Sequence, residues 1–142
     1  MRQPPPYLRA YLFFLGAVLL TQGSFSLFLS EVLGIDLTPT HGLLTTDHRH
    51  AGLHVVWGLV LLVAIALRVS DHTLLRLGLF FGLFFLTLTF LGIFIHYPFG
   101  LRLGIGENAF HAIIGPAALA LVALQARRRH RRTVKIKPVG EA

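Results

Sequence analysis

Leu77-Gly78-Leu79-Phe80-Phe81-Gly82-Leu83-Phe84-Phe85-Leu86-Thr87-Leu88-Thr89-Phe90-Leu91-Gly92-Ile93-Phe94-Ile95 carries no charge and, apart from Thr87 and Thr89, no polar side chain. A helix rising about 1.5 Å per residue needs about 20 residues to cross a hydrocarbon core about 30 Å thick. This run has that length. Working outward, three more such segments stand out, roughly Tyr11 to Leu29, Ala51 to Leu67 and Ala109 to Gln125. None has an ionisable group in its middle.

The composition points the same way. Among 142 residues, 54% are apolar and 13% charged, and the charges fall between the apolar runs. A small water-soluble fold leaves too much of its surface exposed to hide so much apolar side chain. The expected fold is an all-α membrane protein, a four-transmembrane-helix bundle. Residues 1–142 then form a single membrane domain, with 127–142 as a basic tail.

Orientation follows from the basic residues. Arg2, Arg9, Arg68, Arg76, Arg127, Arg128, Arg129, Arg131, Arg132, Lys135 and Lys137 fall on one side, against Arg49 and Arg102 on the other. The positive-inside rule then places both termini in the cytoplasm. The formal charge of +7 comes largely from the C-terminal cluster. Directly after a spanning helix, Arg127, Arg128, Arg129, Arg131 and Arg132 are expected to meet anionic lipid head groups, not nucleic acid. The first segment has a basic start, but nothing near Thr21-Gln22-Gly23-Ser24 reads as a small-residue cleavage site, so it counts as the first helix and not a signal peptide.

Local signals set the helix starts. Asp47 is expected to cap the second helix, Asp71 or Thr73 the third, and Asn108 with Glu107 the fourth, each by offering an oxygen to unpaired amide N–H groups. Pro116 deprives the carbonyl of Ala112 of its donor, so a bend is expected there. An internal duplication is also legible. His54-Val55-Val56-Trp57-Gly58 matches His111-Ala112-Ile113-Ile114-Gly115, and Leu12-Phe13-Phe14 matches Leu79-Phe80-Phe81. The unit is a helix pair used twice, and the two copies are expected to be parallel repeats about an axis along the membrane normal.

Histidine placement carries the chemistry. His41, His48, His50, His54, His96 and His111 fall on the outer side, His72 and His130 on the cytoplasmic side. His50 and His54 are one turn apart on one helix face, a spacing that suits a transition metal, with His48 or His111 as a third ligand. Alternatively, His54 and His111 supply both axial ligands to a haem b, with Gly58 and Gly115 leaving room for the macrocycle. The competing reading is packing: glycine lets helices approach, and a histidine one turn earlier hydrogen-bonds across the bundle. On that reading there is no cofactor, and Gly58, Gly78, Gly82, Gly115 and Pro116 are helix-contact positions. Thr21, Gln22, Ser24, Ser26, Thr87 and Thr89 are expected to form interhelical hydrogen bonds. Trp57 lies too deep for an interfacial belt residue.

What is missing excludes several classes. Without cysteine there are no disulfides, thiolate ligands or cysteine nucleophiles. No carboxylate or lysine sits inside a span to form a proton relay. No hydrolase constellation or phosphate-binding loop occurs, so no enzyme activity is expected.

Asn108-Ala109-Phe110-His111-Ala112-Ile113-Ile114-Gly115 fits in full an Asn-x-x-His-x-x-x-Gly pattern. From about Tyr11 to Ala126 the chain resembles a family of bacterial four-helix integral membrane proteins, known as a domain of unknown function, in which this pattern opens the even-numbered helices. In the first copy Ala51 stands in place of the asparagine, with His54 and Gly58 kept, and His48 and His50 are additions to the pattern. The resemblance implies architecture and a bacterial cytoplasmic (inner) membrane. The functional expectation is a non-enzymatic scaffold or accessory subunit of a larger membrane complex, with the lipid bilayer, a membrane-protein partner or a second copy as partners. The alternative is a haem or metal protein built on the outer histidines.

Overall fold

The computed structural model describes residues 7–37, 47–95 and 97–136. His41 and His96, and at the termini Arg2 and Lys137, lie outside the described residues, as do the side chains of Arg132 and Lys135. Among the described residues there are four α-helices: α1 Tyr7–Leu27, α2 His48–Ala66, α3 Asp71–Phe94 and α4 Ile105–Ile136. A π-helical turn, Phe28–Val32, extends α1, and a 3-10 turn, Pro98–Gly100, follows α3. There are no strands among the described residues.

All four helices are long and apolar enough to cross a membrane. Only 22% to 39% of each apolar window is buried inside the bundle. The outward faces therefore carry large apolar side chains, among them Phe13, Phe14, Phe80, Phe90 and Phe94. Contiguous apolar surface on this scale is foreign to a water-soluble monomer.

The helix limits differ from the apolar runs because a helix does not end where its side chains turn polar. Backbone hydrogen bonds carry α3 back to Asp71 and α4 on to Ile136, so Arg127, Arg128, Arg129 and Arg131 stand on the continuation of α4 and not on a separate tail. Asp47 caps α2 as expected, accepting the N–H of Arg49 at 3.1 Å. The cap of α3 is Ser70, whose hydroxyl accepts the N–H of Thr73 at 3.2 Å, and not Asp71 or Thr73. Asn108 does not cap α4, which begins at Ile105; its amide Nδ2 instead donates to the carbonyl of Leu103 at 3.4 Å. Helix α4 runs through Pro116 as one element.

Packing is closest within α1/α2 and within α3/α4, where glycines let backbones touch. A Cβ on Gly58 would lie 2.6 Å from the amide nitrogen of Leu20 and 2.8 Å from the carbonyl oxygen of Gly16. A Cβ on Gly115 would lie 3.0 Å from both the Gly82 oxygen and the Leu86 nitrogen. Gly78 in turn accommodates the side chains of Val122 and Leu8. Between the hairpins the core is filled by Leu8, Leu12, Leu15 and Leu19 of α1, Trp57 and Leu61 of α2, Phe81 and Phe85 of α3, and Ile114 and Ala118 of α4.

Two expectations need correction. Phe14 is exposed whereas Phe81 is fully buried, so the match of Leu12-Phe13-Phe14 to Leu79-Phe80-Phe81 is out of register by one residue. The buried positions fall in step when Leu8 is set against Leu74, Leu15 against Phe81, Gly16 against Gly82 and Leu19 against Phe85. Nor do the hydroxyls all bridge helices. Thr21, Ser24 and Thr87 face outward, and the Thr89 hydroxyl donates to its own helix, at the Phe85 carbonyl, 2.9 Å away.

One end of the bundle gathers basic residues. Arg9 donates to the Val69 carbonyl at 2.8 Å and lies 3.8 Å from the Asp71 carboxylate. The Arg128 guanidinium sits 5.3 Å from the centre of the Tyr7 ring. At the opposite end lie the starts of α2 and α4, and with them His50, His54 and His111.

Candidate metal centre

His50 and His54 project from the first two turns of α2, fixed in register by the Asp47 cap at its start. The periodicity of the helix puts both rings on the side facing α4. His111 comes from the second turn of α4. All three are buried, with exposures of 0%, 1% and 0%. Each offers one ligand nitrogen such that the three atoms lie within 4.8 Å of one another. The Nε2 atoms of His50 and His111 are 3.4 Å apart.

The surround is apolar and aromatic. Phe85 stands 4.9 Å from the His111 ring centre and 6.3 Å from that of His54, and Phe110 lies 6.2 Å from His54. Below them Trp57 is embedded among Phe80, Phe81, Phe84 and Phe85, a core residue and not a belt residue. Neither nitrogen of His54 has a hydrogen-bond partner among the described residues, nor does Nδ1 of His111. An imidazole that is neither hydrogen-bonded nor solvated costs about 1–3 kcal/mol for each unsatisfied atom.

The connection between α3 and α4 folds back over this end. Leu101 and Leu103 are buried and Arg102 between them is exposed, an in-out alternation that places two leucines in the core. The N–H of Arg102 donates to Oδ2 of Asp47 at 3.3 Å, so one carboxylate serves both the α2 cap and this connection. Gly100 has φ of 76°, and its bare Cα leaves space for the Arg49 guanidinium.

Of the candidate ligands, the structure brings together His50, His54 and His111 and leaves out His48, which is exposed and lies 3.8 Å from Asp47. A haem between His54 and His111 does not fit this packing. Their ring centres are 5.9 Å apart, and both rings are in contact with His50 and Phe85, which fill the space a macrocycle would take. Gly58 and Gly115 do not open a cavity either, since each is occupied by the backbone of its hairpin partner.

A single ion does suit the arrangement. With metal–nitrogen bonds of about 2.0–2.1 Å, neighbouring donors in a tetrahedral site are separated by about 3.3–3.4 Å. The 3.4 Å between the Nε2 atoms of His50 and His111, an imidazole–imidazole hydrogen bond between α2 and α4 when no ion is bound, matches that edge. Reading the residues alone missed the Phe85 wall, the Asp47–Arg102 link and the burial of Glu107. The Leu101-Arg102-Leu103 alternation was the one signal available for the folded-back connection.

In comparison with known proteins, no family model, no curated protein and no solved structure matches the chain.

Proposed function

We propose that this protein is an integral membrane protein of two helical hairpins that holds one divalent transition-metal ion between them, liganded by His50, His54 and His111. The observation that carries this reading is the convergence of three buried imidazoles from two helices, with both nitrogens of His54 unpartnered among the described residues. Packing accounts for His50 and His111, which hydrogen-bond to each other between α2 and α4, but not for His54, which makes no such bond among the described residues. Nitrogen donors without thiolate or a carboxylate cage favour zinc, copper(II), nickel or iron over magnesium and calcium. The site is buried and fully enclosed by protein, which supports holding or handling an ion more than turnover of a substrate.

The lipid bilayer is the natural partner of the outward apolar faces. Basic residues at the end opposite the histidines support cytoplasmic termini and a metal site toward the outer side of a bacterial inner membrane. The common burial register of α1 with α3, and of His54-Trp57-Gly58 with His111-Ile114-Gly115, supports a duplicated helix pair and sits well with the four-helix bacterial family that the chain resembles. The same outward aromatic surface also favours a role beside a larger membrane complex or a second copy, which co-purification from native membranes tests directly.

The metal reading is tested by purifying the full chain in mild detergent, stripping it with chelator and titrating it with zinc. Saturable uptake of one ion per chain is expected, lost on His54→Ala. Native protein that shows no saturable uptake of zinc, copper, nickel or iron rules the site out.

A further inference from the structure

The three histidines leave a tetrahedral ion one donor short, and the matched faces of α2 and α4 indicate where the fourth lies. His54 is one turn before Gly58, and His111 one turn before Gly115; each of these glycines sits against the backbone of its own hairpin partner. On the C-terminal side the burial continues in parallel, Leu61 on α2 and Ala118 on α4. One turn toward the N-terminus, α2 presents His50, and the corresponding residue of α4 is Glu107. Both are buried, at 0% and 5% exposure.

We propose that Glu107 is the fourth ligand, so that α2 contributes His50 and His54 and α4 contributes Glu107 and His111. This rests on the metal site argued above. Without an ion, the carboxylate is turned toward Gly104, where a Cβ would stand 2.7 Å from Oε2. The α4 N-terminus favours an anion there, and among the described residues no hydrogen bond or ion pair ties the carboxylate to its place against Gly104. As it stands the carboxylate is outside the group formed by the three histidines, so ligation requires rotation about its own side-chain torsions, from Gly104 toward the face that carries His111 one turn along the same helix.

The chemistry is consistent with that movement. Three neutral imidazoles leave a bound divalent ion with its full charge in an apolar surround, and a carboxylate ligand halves the net charge. Three nitrogens and one oxygen also complete a closed four-coordinate shell, the arrangement of a site that retains its metal. If Glu107 serves only the helix N-terminus, the site stays three-coordinate and gains its last ligand from water.

Zinc titration of the full chain in detergent, with cobalt(II) as the visible probe, separates these cases. Glu107→Gln keeps size and helix propensity while removing the charge. It is expected to weaken zinc binding by at least about tenfold and to change the cobalt(II) absorption, with helix content by circular dichroism unchanged. Infrared difference spectra of the native protein, which need no folded variant, are expected to show a carboxylate band that shifts when zinc is added. Native-like affinity and cobalt spectrum in Glu107→Gln, or no zinc-dependent carboxylate band, overturns the assignment while leaving the histidine site standing. Native protein that takes up no metal overturns both.

Discussion

The carboxylate of Asp47 holds Arg102 by its backbone N–H at 3.3 Å while capping α2 through the N–H of Arg49 at 3.1 Å. A single side chain therefore fixes the helix that carries His50 and His54 and the connection that covers them. An ion reaching the buried histidines from this end of the bundle would have to displace that connection or pass beneath it.

Asp47→Ala removes both hydrogen bonds. Loss of the cap alone costs about 1 kcal/mol, and release of Arg102 loosens the connection over the site. Faster loss of zinc to an excess of chelator, read by stopped-flow, is expected, with equilibrium affinity changing less than the rate. Asp47→Asn, which keeps an acceptor oxygen, is expected to fall between Asp47→Ala and the native protein. Equal release rates in all three would show that the Asp47 link does not govern access.

In the proposed site the ligands come from α2 and α4, so a bound metal would join two hairpins whose closest packing lies within each pair. A ligand bound only by the folded state stabilises it by about 2.7 kcal/mol at a hundredfold excess over its dissociation constant. Unfolding in detergent is therefore expected at a higher denaturant midpoint with zinc than with chelator. The difference is expected to vanish in His111→Ala. A zinc effect that persists there would place the ion elsewhere.

His54 offers a sharper test of function against stability. Its two nitrogens are unpartnered among the described residues, with Phe85 and Phe110 near the ring. Replacing an unsatisfied buried polar group by an apolar one of similar size is neutral or stabilising. His54→Leu is expected to match or exceed the metal-free native protein in stability by about 1 kcal/mol, and to lose all stabilisation by zinc. A binding residue retained at a cost to stability behaves this way; a histidine retained for packing does not. Marked destabilisation of metal-free His54→Leu in chemical denaturation would favour the packing role.

How much of this was legible in the sequence differs by level. The four helices were, because an uninterrupted apolar run such as Leu77 to Ile95 has one stable outcome in lipid. Their ends were not, since charge marks where the hydrocarbon stops and not where hydrogen bonding stops, which is why α4 outruns Gln125 by three turns. The histidine trio was within reach, His50 and His54 by helical spacing and His111 by the repeated His-x-x-x-Gly. The direction in which Gly58 and Gly115 face was not. A glycine shows that something comes close but not what, and here it is the hairpin partner's backbone instead of a cofactor. The pairing of Phe14 with Phe81 failed for a related reason: in a bundle surrounded by lipid phenylalanine faces outward, as Phe14 and Phe80 do, as well as inward, as Phe81 and Phe85 do, so its identity alone does not tell which.

The glycines of the two hairpins allow a graded prediction about the fold itself. A methyl group on Gly58 meets the Leu20 nitrogen at 2.6 Å and the Gly16 oxygen at 2.8 Å, both backbone atoms that can yield only if α1 and α2 separate. On Gly115 the nearest backbone atoms are at 3.0 Å, and on Gly52 nothing lies within 4 Å. Overpacking of this kind costs about 1–3 kcal/mol, whereas alanine in place of an unhindered helical glycine gains up to about 1 kcal/mol. The expected order of stability is Gly52→Ala at or above native, then Gly115→Ala, then Gly58→Ala, measured as unfolding midpoints in one detergent without metal. Since Gly58 is one turn from His54, separating α1 from α2 would also displace a proposed ligand, so Gly58→Ala is expected to weaken zinc binding where Gly52→Ala does not. If Gly58→Ala proves as stable as Gly52→Ala, the close α1/α2 contact at this position is wrong, and with it the placement of the α2 histidines.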